Sequence, residues 1–235
     1  MSVTAPSTFE FDDGPALAKA LADKIAGHLR AAVAECGRAT LAVSGGRTPV
    51  GLFDALAQRE LPWASVAVTL CDERWVPESD ARSNTALVRK HLLQGRAAAA
   101  QFVALTTQAA TPEEGLAAVR ARVAQLPLPL DVVVLGMGGD GHTASWFPGG
   151  DHLAKALDPV GAERVVAMHA PGAPEPRITL TAPVIASAQH IYLHLEGDAK
   201  RGVLCGAMED GPDTEMPIRA VLRQAQRRLK VYWSP

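Results

Sequence analysis

The chain has few cysteines, no long apolar run and no excess of either charge, and each shortage removes a class of protein. Cys36, Cys71 and Cys205 are odd in number, widely separated and free of any C-x-x-C pair. That argues against a disulfide framework or a zinc site, and for buried structural thiols in a reducing cytoplasm. No apolar segment reaches the roughly 18 residues a membrane span needs. Met1 to Gly14 carries Glu10, Asp12 and Asp13 without a basic flank or an apolar stretch, unlike a signal peptide. The formal net charge is -2, and the one short basic group, Arg227, Arg228 and Lys230, reads as a solvated helix end, so nucleic acid is not an expected partner. None of the seven histidines stands in an H-E-x-x-H pair or another tight ligand cluster, and no metal is expected.

What is present suits a globular enzyme. The 235 residues are 48% hydrophobic and 20% charged, enough for one domain, residues 1–235, with a substantial core. Leu17, Leu21, Ile25 and Leu29 recur every four residues, with Pro15 suited to a first helical turn and Gly37 to the exit, and predict an amphipathic helix. Apolar, partly β-branched runs at Thr40–Val43, Val66–Leu70, Val132–Leu135, Val165–Met168 and Ile191–Leu195 predict strands. Helical patterns at Val50–Gln58, Thr85–Leu93, Glu113–Gln125, Pro183–Ala188 and Ala199–Met208 fall among them. Such alternation predicts an α/β fold, a mainly parallel sheet covered by helices. The proline-rich stretches Leu126–Leu130 and Ala170–Pro176 read as connections.

Ligands of open α/β sheets gather beyond the carboxyl ends of strands, so the loops that follow strands carry the candidates. After the first strand, Ser44-Gly45-Gly46-Arg47-Thr48-Pro49 runs into a helix. Its two glycines allow close backbone approach, and its amides and hydroxyls suit a phosphate cradle or, equally, a tight turn. It lacks the spacing and the Lys of a P-loop. After the second strand, Cys71-Asp72-Glu73-Arg74-Trp75-Val76-Pro77 and Ser79 to Asn84 hold two arginines, Arg74 and Arg82. Either can grip an anion, unless Asp72 or Glu73 neutralises them.

The most distinctive stretch runs from Gly136 to Gly150, just past Val132–Leu135, and contains a literal G-x-G-x-x-G at Gly136, Gly138 and Gly141. A dinucleotide site is disfavoured. Asp140 would sit near the pyrophosphate, Pro148-Gly149-Gly150 would halt the following helix after barely two turns, and no acidic residue ends a strand about 20 residues on. His142 beside Asp140 fits acid–base chemistry better, since an imidazole titrates near neutrality and loop amides can hold an oxyanion. His28, His91, His190 and His194 fall in helix or strand patterns and read as structural; His152 and His169 stay undecided. Arg177, before Ile178-Thr179-Leu180-Thr181, and Lys200, in Gly197-Asp198-Ala199-Lys200, add cations at strand ends.

Five blocks in order, Ser44 to Pro49, Asp72 to Pro77 with Ser83-Asn84, Gly136 to Ser145, Arg177 to Thr181 and Gly197 to Lys200, resemble the 6-phosphogluconolactonase family across nearly the whole chain. The resemblance implies a modified Rossmann-like fold shared with glucosamine-6-phosphate deaminases and ribose-5-phosphate isomerases. It implies hydrolysis of 6-phospho-D-glucono-1,5-lactone in the oxidative pentose phosphate pathway, without a cofactor. By position, His142 resembles the family's water-activating base with Asp140 beside it. Ser44, Gly45, Gly46, Thr48, Arg74, Arg177 and Lys200 resemble its phosphate and substrate shell. The related deaminases read Asp-Gly-His-Ile-Ala (or Gly)-Phe-Asn-Glu-Pro, whose Glu assists ring opening; Phe147 stands at that position here and cannot move a proton. Trp146 stands where the lactonases usually have Leu.

Overall fold

A computed structural model describes residues 5–235. In chain order the elements are β1 (Ser7–Glu10), α1 (Gly14–Cys36), β2 (Ala39–Val43), α2 (Val50–Ala57), β3 (Val66–Leu70), β4 (Asp72–Arg74), α3 (Asn84–His91), β5 (Gln101–Val103) and α4 (Pro112–Val123). There follow β6 (Val132–Leu135), α5 (Leu153–Leu157), β7 (Val165–Ala170), β8 (Ala173–Leu180), α6 (Ala182–Ala186), β9 (His190–Glu196), α7 (Asp198–Met208), α8 (Ile218–Ala225) and β10 (Leu229–Ser234).

Seven strands form one sheet in the order β1-β10-β9-β6-β2-β3-β5, every neighbouring pair parallel. The strands β2 and β6 are buried along their whole length, which is why they read as unbroken apolar runs. The helix α1 begins on Asp13, whose carboxylate accepts from the amide of Ala16 at 2.7 Å, and ends on Gly37 at φ 73°. Its Leu17, Leu21, Ile25 and Leu29 are fully buried, and it packs on α2 and on β2, β6 and β10.

A smaller antiparallel sheet, β4-β8-β7, departs from the sequence expectation. Ala170–Pro176 is not a bare connection: residues 173–176 are already strand, and β7 and β8 form a hairpin joined through residues 171–172. The pairing of Arg74 opposite Arg177 and Asp72 opposite Thr179 brings two sequence-distant loops to one place. The basic group near the end is also not a solvated helix end alone, because Lys230 lies inside β10, between β1 and β9. Of the cysteines, only Cys71 is a buried thiol, while Cys36 and Cys205 are exposed. Burial pushes the Cys71 thiol well above its ordinary pKa, which keeps it protonated and inert. No helix of the described residues is long and apolar enough to cross a membrane.

The packing of α1 on β9 includes two stacked imidazoles, His28 and His190, with ring centroids 3.5 Å apart. Burial, the neighbouring His190 and the charges of Lys24 and Lys230 hold His28 down at about 4, and burial with the same lysines lowers His190. Both groups bind a proton more readily in the unfolded chain, where the ordinary value is 6.5. Their contribution to stability is therefore complete above that value and is lost as pH falls from it toward about 4. The urea unfolding midpoint is expected to decline between pH 7 and pH 5, before most carboxylates titrate. His28→Phe should flatten that decline, and an equal slope in both proteins would disprove the assignment.

Candidate active site

An open cleft of about 440 Å³ lies across the carboxyl ends of β2, β3, β6 and β9. Most of its walls are chain released where a parallel strand stops. Ser44 to Pro49 follow β2, Asp72 and Arg74 follow β3, Gly136 to Phe147 follow β6, and Lys200 lies in the first turn of α7 after β9.

The loop after β6 is folded on itself. Gly138 donates from its amide to the carbonyl of His142 at 2.8 Å, Gly141 turns the chain at φ 78°, and Thr143 Oγ1 donates to the Gly136 carbonyl at 2.8 Å. The helix that a dinucleotide site would require does not follow: residues 143 and 146 close a small bridge, and the next helix is α5. The helix dipole a dinucleotide pyrophosphate needs is thus missing at this loop. Ser145 Oγ donates to Asp72 Oδ2 at 2.5 Å, and Trp146 Nε1 donates to the Leu180 carbonyl at 2.8 Å, so the loop is pinned to the antiparallel sheet.

This folding places His142 Nδ1 2.6 Å from Asp140 Oδ1, while the same oxygen accepts from the His142 amide at 3.1 Å. Partial burial pushes the Asp140 pKa up, but those two contacts outweigh it and hold the carboxyl below its ordinary range. An ionised Asp140 can only accept, so in the neutral imidazole Nδ1 carries the proton and Nε2 the free lone pair. The ring packs on Phe147 with centroids 4.4 Å apart, and the Arg177 guanidinium lies 5.4 Å from the centre of that phenyl ring. Phe147 therefore contacts both the imidazole and a buried cation.

The opposite wall suits an anion. Gly46 turns the chain at φ 99°, and a side chain at Gly45 would collide with Asn84 Oδ1, 1.9 Å from where its first carbon would stand. Among the described residues the amides of Gly45, Gly46, Arg47 and Thr48, which line the cleft, make no backbone hydrogen bond and remain available as donors. Arg82 lies outside the cleft, paired with Asp80 at 2.7 Å and with Glu175; Arg177 is 3.5 Å from Glu175. Neither Asp72 nor Glu73 neutralises Arg74, whose guanidinium donates instead to the Arg82 carbonyl.

Glu73 has a different task. Buried at 1% exposure, it accepts from the amides of Arg74 and Asn84 at 2.8 Å each and of Thr85 at 2.7 Å, joining β4 to the start of α3. Glu73→Ala would leave three buried donors without a partner, and is expected to cost on the order of 3 kcal/mol in urea unfolding. A loss below about 0.5 kcal/mol would show that solvent replaces the carboxylate.

Every residue expected from sequence to form the shell, Ser44, Gly45, Gly46, Thr48, Arg74, Arg177 and Lys200, lines this one cleft together with His142. Asp140 stands behind His142, not in the lining. Asp72, Arg47, Asn84, His194 and Glu196 line it as well; the first three belong to loops already singled out, though without a role, while His194 and Glu196 were not expected there. His194, read from sequence as a structural strand histidine, is buried and also lines the cleft. The apolar run of β9 was visible, but not that His194, Leu195 and Glu196 at its end reach the cleft.

These features define an α/β enzyme class with an aspartate-oriented imidazole and a glycine-rich loop on one cleft. The family model described as glucosamine-6-phosphate isomerases/6-phosphogluconolactonase matches residues 12–233. A 6-phosphogluconolactonase of Rhizobium meliloti (strain 1021) is 51% identical over 225 residues, 96% of this chain and 97% of that one. One from Pseudomonas aeruginosa is 47% identical over 93% of this chain and 90% of its own. The crystal structure of a 6-phosphogluconolactonase from Shewanella baltica OS155 superposes with a TM-score of 0.96, at 43% identity and with both chains fully covered. The chain belongs to the glucosamine-6-phosphate isomerase/6-phosphogluconolactonase family.

Proposed function

We propose that the protein, acting as one domain, hydrolyses 6-phospho-D-glucono-1,5-lactone to 6-phospho-D-gluconate in the cytoplasm, as a step of the oxidative pentose phosphate pathway. The observation that carries this reading is the His142–Asp140 pair, 2.6 Å apart, with the lone pair of Nε2 left for the cleft. Nε2 takes a proton from water as the water oxygen attacks the lactone carbonyl carbon. The tetrahedral oxyanion is met by Arg74 or by loop amides, and the ring C–O bond breaks as the imidazolium returns its proton to the departing ring oxygen. Ser44, Gly45, Gly46 and Thr48, with Lys200 and Arg177, hold the phosphate.

Phe147 supports hydrolysis over deamination. It packs against His142 at the position where the related deaminases carry their Glu, so the imidazole has an apolar neighbour where ring opening needs a second proton carrier. The lactone also hydrolyses unaided, so the test is acid release followed by pH-stat against buffer alone. Acceleration proportional to enzyme concentration is expected. No acceleration, or release of ammonia from glucosamine 6-phosphate, would overturn the reading.

A further inference from the structure

His194 is a part of the cleft that this scheme does not use. It stands near the end of β9, beside Tyr232 of β10 in register. One step beyond the last paired residues of β6 and β9, Leu135 and Leu193, the neighbouring strand position is Gly136. A first side-chain carbon on Gly136 would meet nothing within 4 Å, so the glycine leaves a notch there, and Gly136 and His194 both line the cleft.

The imidazole is 2% exposed, and neither of its nitrogens has a hydrogen-bond partner in the protein. Glu196 Oε1 comes within 3.3 Å of Nε2, but too obliquely to count as a hydrogen bond. Burial lowers the pKa of His194 to about 4, so the ring is neutral at pH 7 and offers one donor and one acceptor. Leaving both unmet costs more than the same ring would in water, a cost that a ligand reaching the notch removes. The ligand group has to suit a neutral ring next to a carboxylate. A phosphate oxygen would be repelled by Glu196, whereas a hydroxyl can accept from the imidazole N–H and donate to the carboxylate.

We propose that His194, together with Glu196 and the notch at Gly136, binds a hydroxyl of the substrate's sugar and is a specificity-determining position of the cleft. This rests on the lactonase reading. Calorimetry with two probes, 6-phosphogluconate and inorganic phosphate, separates the hydroxyl from the phosphate. In His194→Phe, affinity for 6-phosphogluconate should fall about 3- to 10-fold while affinity for inorganic phosphate stays within twofold. His194→Gln, which keeps a donor and an acceptor, should recover most of the loss. In the wild-type protein labelled with ¹⁵N-histidine, the ring nitrogens of His194 should shift on adding 6-phosphogluconate and stay in place on adding inorganic phosphate. That measurement does not depend on any variant folding. Equal losses for both probes, unchanged 6-phosphogluconate binding, or ring nitrogens that ignore 6-phosphogluconate would each overturn the proposal. Lactone turnover by the wild-type enzyme, run alongside, keeps failure here distinct from failure of the lactonase reading.

Discussion

His142→Ala is expected to lower kcat for the lactone by about 10²- to 10⁴-fold, the usual contribution of a positioned acid–base group, while KM changes little. The side chain is partly exposed, and its polar contact within the protein is to Asp140, so its removal should leave the fold in place. Asp140→Asn should fall between the variant and the wild type. The amide can still accept from Nδ1–H through its oxygen, but it no longer favours the imidazolium formed during attack. The ordering of the three proteins in kcat, wild type above Asp140→Asn above His142→Ala, is the result to look for after subtraction of spontaneous hydrolysis. Full activity in His142→Ala would remove the imidazole from the mechanism, and with it the role assigned to the loop after β6.

The strands of the main sheet that were legible in the sequence share one property: they are buried on both faces. Strands β2, β3, β6 and β9 read as apolar runs because helices and neighbouring strands cover them, and their expected limits lie within a residue or so of those observed. The strand β1 escaped notice because all four of its residues are exposed at the sheet's edge, where burial imposes no pattern. Strand β8 was hidden for another reason. Its first residues, Ala173-Pro174-Glu175-Pro176, carry two prolines, which an antiparallel hairpin tolerates at an outer end and a parallel core strand does not. The site was legible where it lies in loops, because glycines, hydroxyls and cations cluster after strands. It was illegible at His194 and Asp72. His194 sits inside an apolar strand pattern, and Asp72 belongs to a short strand whose pairing with β8 depends on residues about a hundred positions away.

The second large effect concerns a glycine, not a titratable group. Gly138 has no positive φ, so alanine is conformationally acceptable there, yet its first side-chain carbon would stand 2.1 Å from His142 Nδ1 and 2.6 Å from Asp140 Oδ1. These are the two atoms of the dyad's own hydrogen bond. The imidazole cannot turn away without breaking that bond, and the carboxylate cannot follow it without losing the His142 amide. Gly138→Ala should therefore cost about as much activity as weakening the base itself, on the order of 10²-fold in kcat, with little loss of thermal stability. Gly139 is the matched control: it too lacks a positive φ, and an added carbon there would meet nothing within 4 Å. Gly139→Ala should retain nearly full activity. Gly141, at φ 78° and with Met216 2.9 Å from the same added carbon, would strain the backbone and the packing together and cannot separate the two effects. If Gly138→Ala and Gly139→Ala proved equally active, close packing around the dyad would not be what fixes the imidazole, and the glycines of this loop would have to be explained by access for the ligand alone.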